Sequence, residues 1–378
     1  MPPKHPGNSD RLPGLDGLRA LSIVLVVSFH LITLPGMPTR LPGWNLFVDV
    51  ADRGQFGVDI FFVLSGFIIT WLLLKEENKT GATDLRQFYV RRAFRILPPA
   101  LLYLGVVSLL VLAHRSSTTW GEIGSAALFA RNLYGPGSFD TGHFWTLAVE
   151  EQFYLTWPFL FVLLGKRGRA SLLIALLAIS PIWHHEYLRL FPNARLNVYE
   201  FHYEPLLMGC LLAIARNSQN IARVLSGWFF RSSWIVVAAI AIIATLLSPL
   251  ERHVGDRIRV LFPLVDYFCI AIVINYLVQG GRSTIDWFLN VGPVVFIGQL
   301  SYSLYLWQQL FCLKGATLQL NAPFCFVAAM ACAMFSYYII EQPAIRFRRH
   351  LSKGLAIEKS PVGVPVCHDE APLITTFN

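Results

Sequence analysis

A chain of 378 residues that is 54% hydrophobic and only 14% charged, with a mean hydropathy of +0.51, has too little polar surface to pack as ordinary soluble domains. The expected fold class is an all-α integral membrane protein. Its net charge of +8 does not require a nucleic-acid partner, because the sidedness of the loops described below accounts for it.

Residues 1–9, rich in Pro, Gly, Asn and Ser, read as a disordered N-terminal tail. Apolar runs long enough for a ~30 Å hydrocarbon core follow at about residues 16–35, 57–74, 97–113 and 146–164. The next two are weaker: 170–184 is short, and 199–216 opens with Glu200, His202 and Glu204. Runs at 234–250, 260–279, 292–313 and 322–340 complete a bundle of about ten transmembrane helices in one domain, residues 10–345. Residues 346–378, basic and then rich in Pro, Gly and mixed charge, read as a cytoplasmic tail that becomes disordered. The first run is longer than the apolar core of a cleavable signal peptide and lacks a small-residue cleavage site.

With the N-terminus inside, the inner segments hold 21 of the 31 basic residues, so both termini are expected in the cytoplasm. Cys210, Cys269, Cys312, Cys325 and Cys332 fall in the spans and Cys367 in the tail, without a disulfide framework or zinc-type spacing, and no metal is expected. Membrane lipids are the surroundings this exterior implies. No internal repeat in hydropathy is visible, which argues against an inverted-repeat transporter.

The most informative residue is His30, alone among apolar neighbours in the first run. An imidazole inside a membrane helix costs free energy unless it is used, so it is a functional candidate by default. Arg19 stands eleven positions earlier, close to three whole helical turns and ~16 Å along the axis, which places both on one face. Asp59, Glu150 and the Glu200, His202, Glu204 group are predicted near the same outer level as His30. A carboxylate on one ring nitrogen, Glu150 or Asp59, would orient the imidazole and leave the other nitrogen to take a proton from a hydroxyl. His184 and His185, adjacent on a helix, point ~100° apart and read as an interfacial pair rather than a metal site.

On the inner side the segment 75–97 carries Arg86, Arg91, Arg92 and Arg95 before Leu97-Pro98-Pro99. Arg91 or Arg92 with Arg95 would share a helix face beside Arg19 and form a phosphate-sized basic site. Coenzyme A, which carries phosphates at the head of a long pantetheine arm, fits this arrangement: a nucleotide held at the arginines could reach His30 with its thioester.

Six blocks carry a resemblance: Leu15 to Leu21 (LDGLRAL) ending in Phe29-His30; Gly57 to Phe67 (GVDIFFVLSGF); Arg91 to Pro98 (RRAFRILP); His143 to Tyr154 (HFWTLAVEEQFY); Ser301 to Gln309 (SYSLYLWQQ); and Ile340 to Pro343 (IEQP). In this order, over about residues 13–347, the chain resembles the acyltransferase 3 family of membrane O-acyltransferases. The resemblance implies a ten-helix, multi-pass protein of the bacterial cytoplasmic membrane. It would move an acyl group, with acetyl favoured, from cytoplasmic acyl-CoA to a hydroxyl of an extracytoplasmic carbohydrate or glycolipid. Its R-x10-H element matches Arg19 and His30, and its R-x-x-R element matches Arg92 and Arg95. The sites expected are therefore His30, Glu150 and Asp59 for the chemistry and Arg19, Arg91, Arg92 and Arg95 for acyl-CoA. Ser65 is a possible covalent nucleophile but reads first as an interhelical hydrogen-bond partner.

Two departures stand out. Where many members have a histidine after Leu-Tyr-Leu-Trp, this chain has Gln308 and Gln309. Many also carry a C-terminal extracytoplasmic hydrolase-like domain, for which these residues hold no candidate, so the acyl group is expected to pass directly to the acceptor or to a separate extracytoplasmic partner protein. The alternative from another class is a proton-coupled exporter of an acylated glycan or lipid, with His30 and the outer carboxylates as its relay.

Overall fold

The computed structural model describes residues 14–32, 56–135, 137–190, 202–227, 232–246, 261–280, 283–321 and 324–358, with a few isolated positions between them. Among these the chain is helical, with no strand. In order come α1 (Leu15–Leu31), α2 (Phe56–Thr80), α3 (Leu85–Leu112), the short α4 (Trp120–Ala127) and α5 (Phe139–Gly142), α6 (Phe144–Leu163), α7 (Lys166–Leu190), α8 (Glu204–Asn217) and the short α9 (Gln219–Leu225). They are followed by α10 (Ser233–Leu246), α11 (Phe262–Val278), the short α12 (Thr284–Leu289), α13 (Gly292–Phe311) and α14 (Phe324–Phe335). A π segment, Ser336–Glu341, joins α14 to α15 (Gln342–Glu358). The described part of each apolar run read from the sequence is helical or at a helix end. Among the described residues, three stretches are long and apolar enough to cross a membrane by length and composition: Phe56–Thr80, Leu85–Leu112 and Phe324–Leu351.

The element boundaries differ from the hydropathy reading where helices continue past the apolar zone. α3 starts at Leu85, so the arginine segment expected as a loop is helical, capped by Asp84, whose carboxylate accepts from the Gln87 N–H at 2.9 Å. The basic segment after residue 345 is likewise no irregular tail: α15 runs to Glu358. Extending an existing helix is far easier than nucleating a new one, so charged residues join it once the membrane part is formed. Residues 1–9, 36–53, 191–201 and 359–378 lie outside the described residues, and with them Glu200, Cys367 and both expected tail ends. The side chains of His184 and His185 are outside them too.

Leu109, Leu155, Phe159, Leu163, Ile182 and Phe324 are exposed on the bundle's outer faces, while Glu122, Arg131, Asp140, Glu150 and Glu341 are buried. An apolar exterior around an ionisable interior is the arrangement lipid demands. Two apolar clusters form the core, one centred on α2, α6, α8 and α11 and the other on α1, α3, α13 and α14. The polar site lies between them.

α2 and α8 approach closely through two glycines. A Cβ on Gly66 would overlap the Leu206 carbonyl, and one on Gly209 would overlap the Val63 carbonyl. Small residues at such crossings give membrane helices the close backbone contact that holds them together. Gly66→Val is expected to cost about 1–3 kcal/mol as overpacking, whereas Gly105→Ala, where nothing lies within 4 Å, is expected to cost nothing. Thermal unfolding in detergent checks the contrast; equal midpoints for the two variants would contradict it.

Candidate active site

Arg19 of α1, Arg92 and Arg95 of α3, and Glu150, Glu151 and Tyr154 of α6 line one narrow cavity of about 40 Å3. Arg92 and Arg95 are three apart and share a helix face. Arg91, rotated ~100° from Arg92, leaves this group: it bonds Glu76 at 3.2 Å on the outer side of α3 and does not line the cavity. The Arg92 guanidinium lies 4.0 Å from the centre of the Tyr154 ring, a cation–π stack. The Tyr154 hydroxyl donates to Glu150 Oε1, as does the Ser65 hydroxyl at 2.6 Å. Arg19 is steadied by Asp16 at 3.2 Å. Guanidinium groups have the planar donor geometry that suits phosphate oxygens, and here they share the cavity with the carboxyl groups of Glu150 and Glu151.

A second, mostly apolar cavity of about 30 Å3, lined by Ser22, Val26, Phe61, Thr146, Tyr302 and Tyr305, adjoins the first. The two share Phe61, Glu150, Ser301 and Tyr302. Glu150 therefore sits at the neck between them. The sequence reading placed it level with His30, but α6 begins at Phe144, so Glu150 lies ~9 Å into the helix, among the arginines. Glu341, turned inward by the π segment, accepts from Ser303 at 3.2 Å.

At the far end of α1, His30 Nδ1 lies 2.5 Å from Gln308 Oε1. At Nδ1 the partner is an amide, not a carboxylate. Facing an amide oxygen, Nδ1 carries the proton and Nε2 the lone pair. Gln308 can fix that tautomer without contributing a charge. Asp59 is engaged elsewhere, 2.6 Å from His202 Nε2, which also lies 3.3 Å from the Tyr267 hydroxyl. Neither this pair nor His30 lines either cavity; His30 lies beyond the Tyr305 end of the apolar one, beside Gln308.

Two further groups escaped the sequence reading. Gln308 stands where a histidine is common in the family, which was the only signal for it. His143, only 5% exposed, packs edge-on against Tyr103 at 5.2 Å and Tyr305 at 5.5 Å and interacts electrostatically with His30. Neither of its ring nitrogens has a hydrogen-bond partner among the described residues. Tyr305 in turn bonds Thr146 at 2.6 Å, so the apolar cavity ends one ring away from His143. Among the described residues no three His, Cys, Asp or Glu side chains gather as metal ligands.

Apolar helices enclosing linked, ionisable cavities define the class of membrane proteins with an intramembrane site, enzymes and transporters alike. The chain belongs to the acyltransferase 3 family, whose model, described as an acyltransferase domain, matches residues 12–340. It is 30% identical over 325 residues to the O-acetyltransferase OatA of Staphylococcus aureus strain NCTC 8325 / PS 47, an alignment covering 78% of this chain and 50% of OatA. The OatA of strain MRSA252 matches equally. A protein of strain COL with the provisional name O-acetyltransferase SACOL0978 is 29% identical over 326 residues, with the same two coverages. The chain spans about half the length of these curated relatives. No solved structure matches it.

Proposed function

We propose that this chain is a membrane O-acyltransferase that moves an acyl group, acetyl in the first instance, from cytoplasmic acyl-CoA to a hydroxyl of a carbohydrate outside the membrane. The observation that carries the reading is the pair of adjoining cavities running from Arg19, Arg92 and Arg95 past Glu150 to Thr146 and Tyr305.

In this reading the three arginines hold the coenzyme A phosphates, and the pantetheine arm passes Glu150 into the apolar cavity. Glu150, fixed by Ser65 and Tyr154, positions the Arg92–Tyr154 stack rather than orienting His30. The acceptor O–H gives its proton to His30 Nε2 as its oxygen attacks the thioester carbonyl. The C–O bond forms, the C–S bond breaks, and the departing sulfur takes the proton back from His30. Direct transfer needs no covalent enzyme intermediate, and the Ser65 hydroxyl is committed to Glu150.

Because Gln308 sets the tautomer, Gln308→Leu is expected to lower kcat about tenfold to a hundredfold with little change in KM for the donor. Steady-state kinetics with varied acetyl-CoA separates the two parameters; an unchanged kcat would contradict the role. The test of the reading as a whole is purified protein incubated with labelled acetyl-CoA. Loss of label from the donor, by transfer or slow hydrolysis, supports an enzyme, and an inert donor with substrate flux supports an exporter.

A further inference from the structure

Residues 114–140 and the turn after α13 build a polar cavity that this scheme does not use. It is about 550 Å3 and is lined by Ser117, Thr119, Tyr134, Phe139, Asp140 and Thr317 among others. Its floor is rigid. Asp140, 2% exposed, accepts from the Ser116 hydroxyl at 2.6 Å and from the Thr317 hydroxyl and N–H at 2.5 and 3.1 Å. Tyr103 donates to the Asp140 carbonyl at 2.6 Å. Glu122 accepts from the Thr119 N–H and hydroxyl at 2.7 and 2.9 Å, from the Ser138 N–H, and from Arg131 at 3.4 Å. A loop whose buried charges are all satisfied holds its shape before any ligand arrives.

Above this floor the rings of Tyr134 and Phe139 are 50% and 54% exposed, beside the exposed hydroxyl-bearing Ser117 and Thr119. Apolar ring faces next to hydrogen-bonding groups match the C–H faces and hydroxyls of a sugar. A phosphorylated ligand would want cations, and no lysine or arginine is among the lining residues. The cavity is also coupled to the candidate base. Phe139 O accepts from Gln309 Nε2 at 2.7 Å, Gln308 Nε2 donates to Gln309 Oε1 at 3.4 Å, and Gln308 Oε1 meets His30 at 2.5 Å.

We propose that this cavity is the acceptor subsite: it binds an uncharged saccharide unit on Tyr134 and Phe139, and the Gln309–Gln308 relay couples that unit to His30. The proposal rests on the acyl-transfer reading and names the surface that selects its acceptor. The test is saturation-transfer NMR on the full chain in nanodiscs, with chito- and malto-oligosaccharides as probes, beside an acetyl-CoA consumption assay. The wild type is expected to bind at least one probe, Tyr134→Ala and Phe139→Ala each to weaken that binding about tenfold, and Arg91→Ala, remote from this cavity, to leave it unchanged. No binding to the wild type, or binding that both ring variants leave intact, would overturn the subsite. Acetyl-CoA consumption without saccharide binding sinks the subsite alone. Binding through these rings without acetyl-CoA consumption keeps the subsite and sinks the acyl-transfer reading.

Discussion

Replacing His30 by alanine is expected to lower kcat at least about a hundredfold, the scale of a lost general base, while the protein stays folded in the membrane. The ring sits at the end of α1, half-buried, with Nδ1 held by Gln308. Few packing contacts therefore depend on it, and its removal deletes a proton acceptor rather than a core residue. The contrasting variant is His202→Ala. His202 has the carboxylate partner usually associated with a general base, but its Nε2 is held between Asp59 at 2.6 Å and the Tyr267 hydroxyl at 3.3 Å. His202→Ala is expected to retain acyl transfer within about tenfold, beyond the range of a lost general base. Acceptor labelling by both variants decides between the two histidines; a reversed order of activities would move the reaction to the Asp59–His202 pair.

The second large effect belongs to Arg92. Losing a charge-assisted contact to phosphate costs about 1.5–3 kcal/mol, so Arg92→Ala is expected to raise KM for acetyl-CoA roughly tenfold to a hundredfold and to change kcat less. Arg92→Lys keeps the charge but loses the planar fork stacked on Tyr154, and is expected to fall between. Arg91→Ala should behave as wild type, because Arg91 is engaged with Glu76 away from the cavity. Donor titrations on the three variants provide the check. Equal effects at Arg91 and Arg92 would show a diffuse basic surface instead of a cavity-bound donor.

Periodicity and composition carried the helices and the placement of Arg19 and His30 at opposite ends of α1, because spacing along one helix depends only on its own geometry. Partners across helices were not legible. Gln308 reaches His30 from 278 positions away, and nothing local to either residue announces it. The arginine quartet was half legible: neighbouring arginines look alike in sequence, and only the rotation of α3 sends Arg92 and Arg95 inward and Arg91 outward. Glu150 was placed too near the outer surface because hydropathy does not fix where a span begins to within a turn. His143 carries no spacing signal, and its lack of hydrogen-bond partners emerges only once Tyr103 and Tyr305 close around it. The walls of the cavity beside Tyr134 and Phe139 were not legible as a unit, since they come from segments near residues 120, 138 and 317 that meet only in the folded chain.

The central claim is that an acyl donor enters from the arginine side and is used at His30. The most direct measurement is reconstitution into sealed vesicles of known orientation, with labelled acetyl-CoA supplied to one face at a time. The account predicts donor consumption only when acetyl-CoA is presented to the face bearing Arg19, Arg92 and Arg95, and its loss in His30→Ala. Consumption from the opposite face alone, or undiminished consumption without His30, would contradict it.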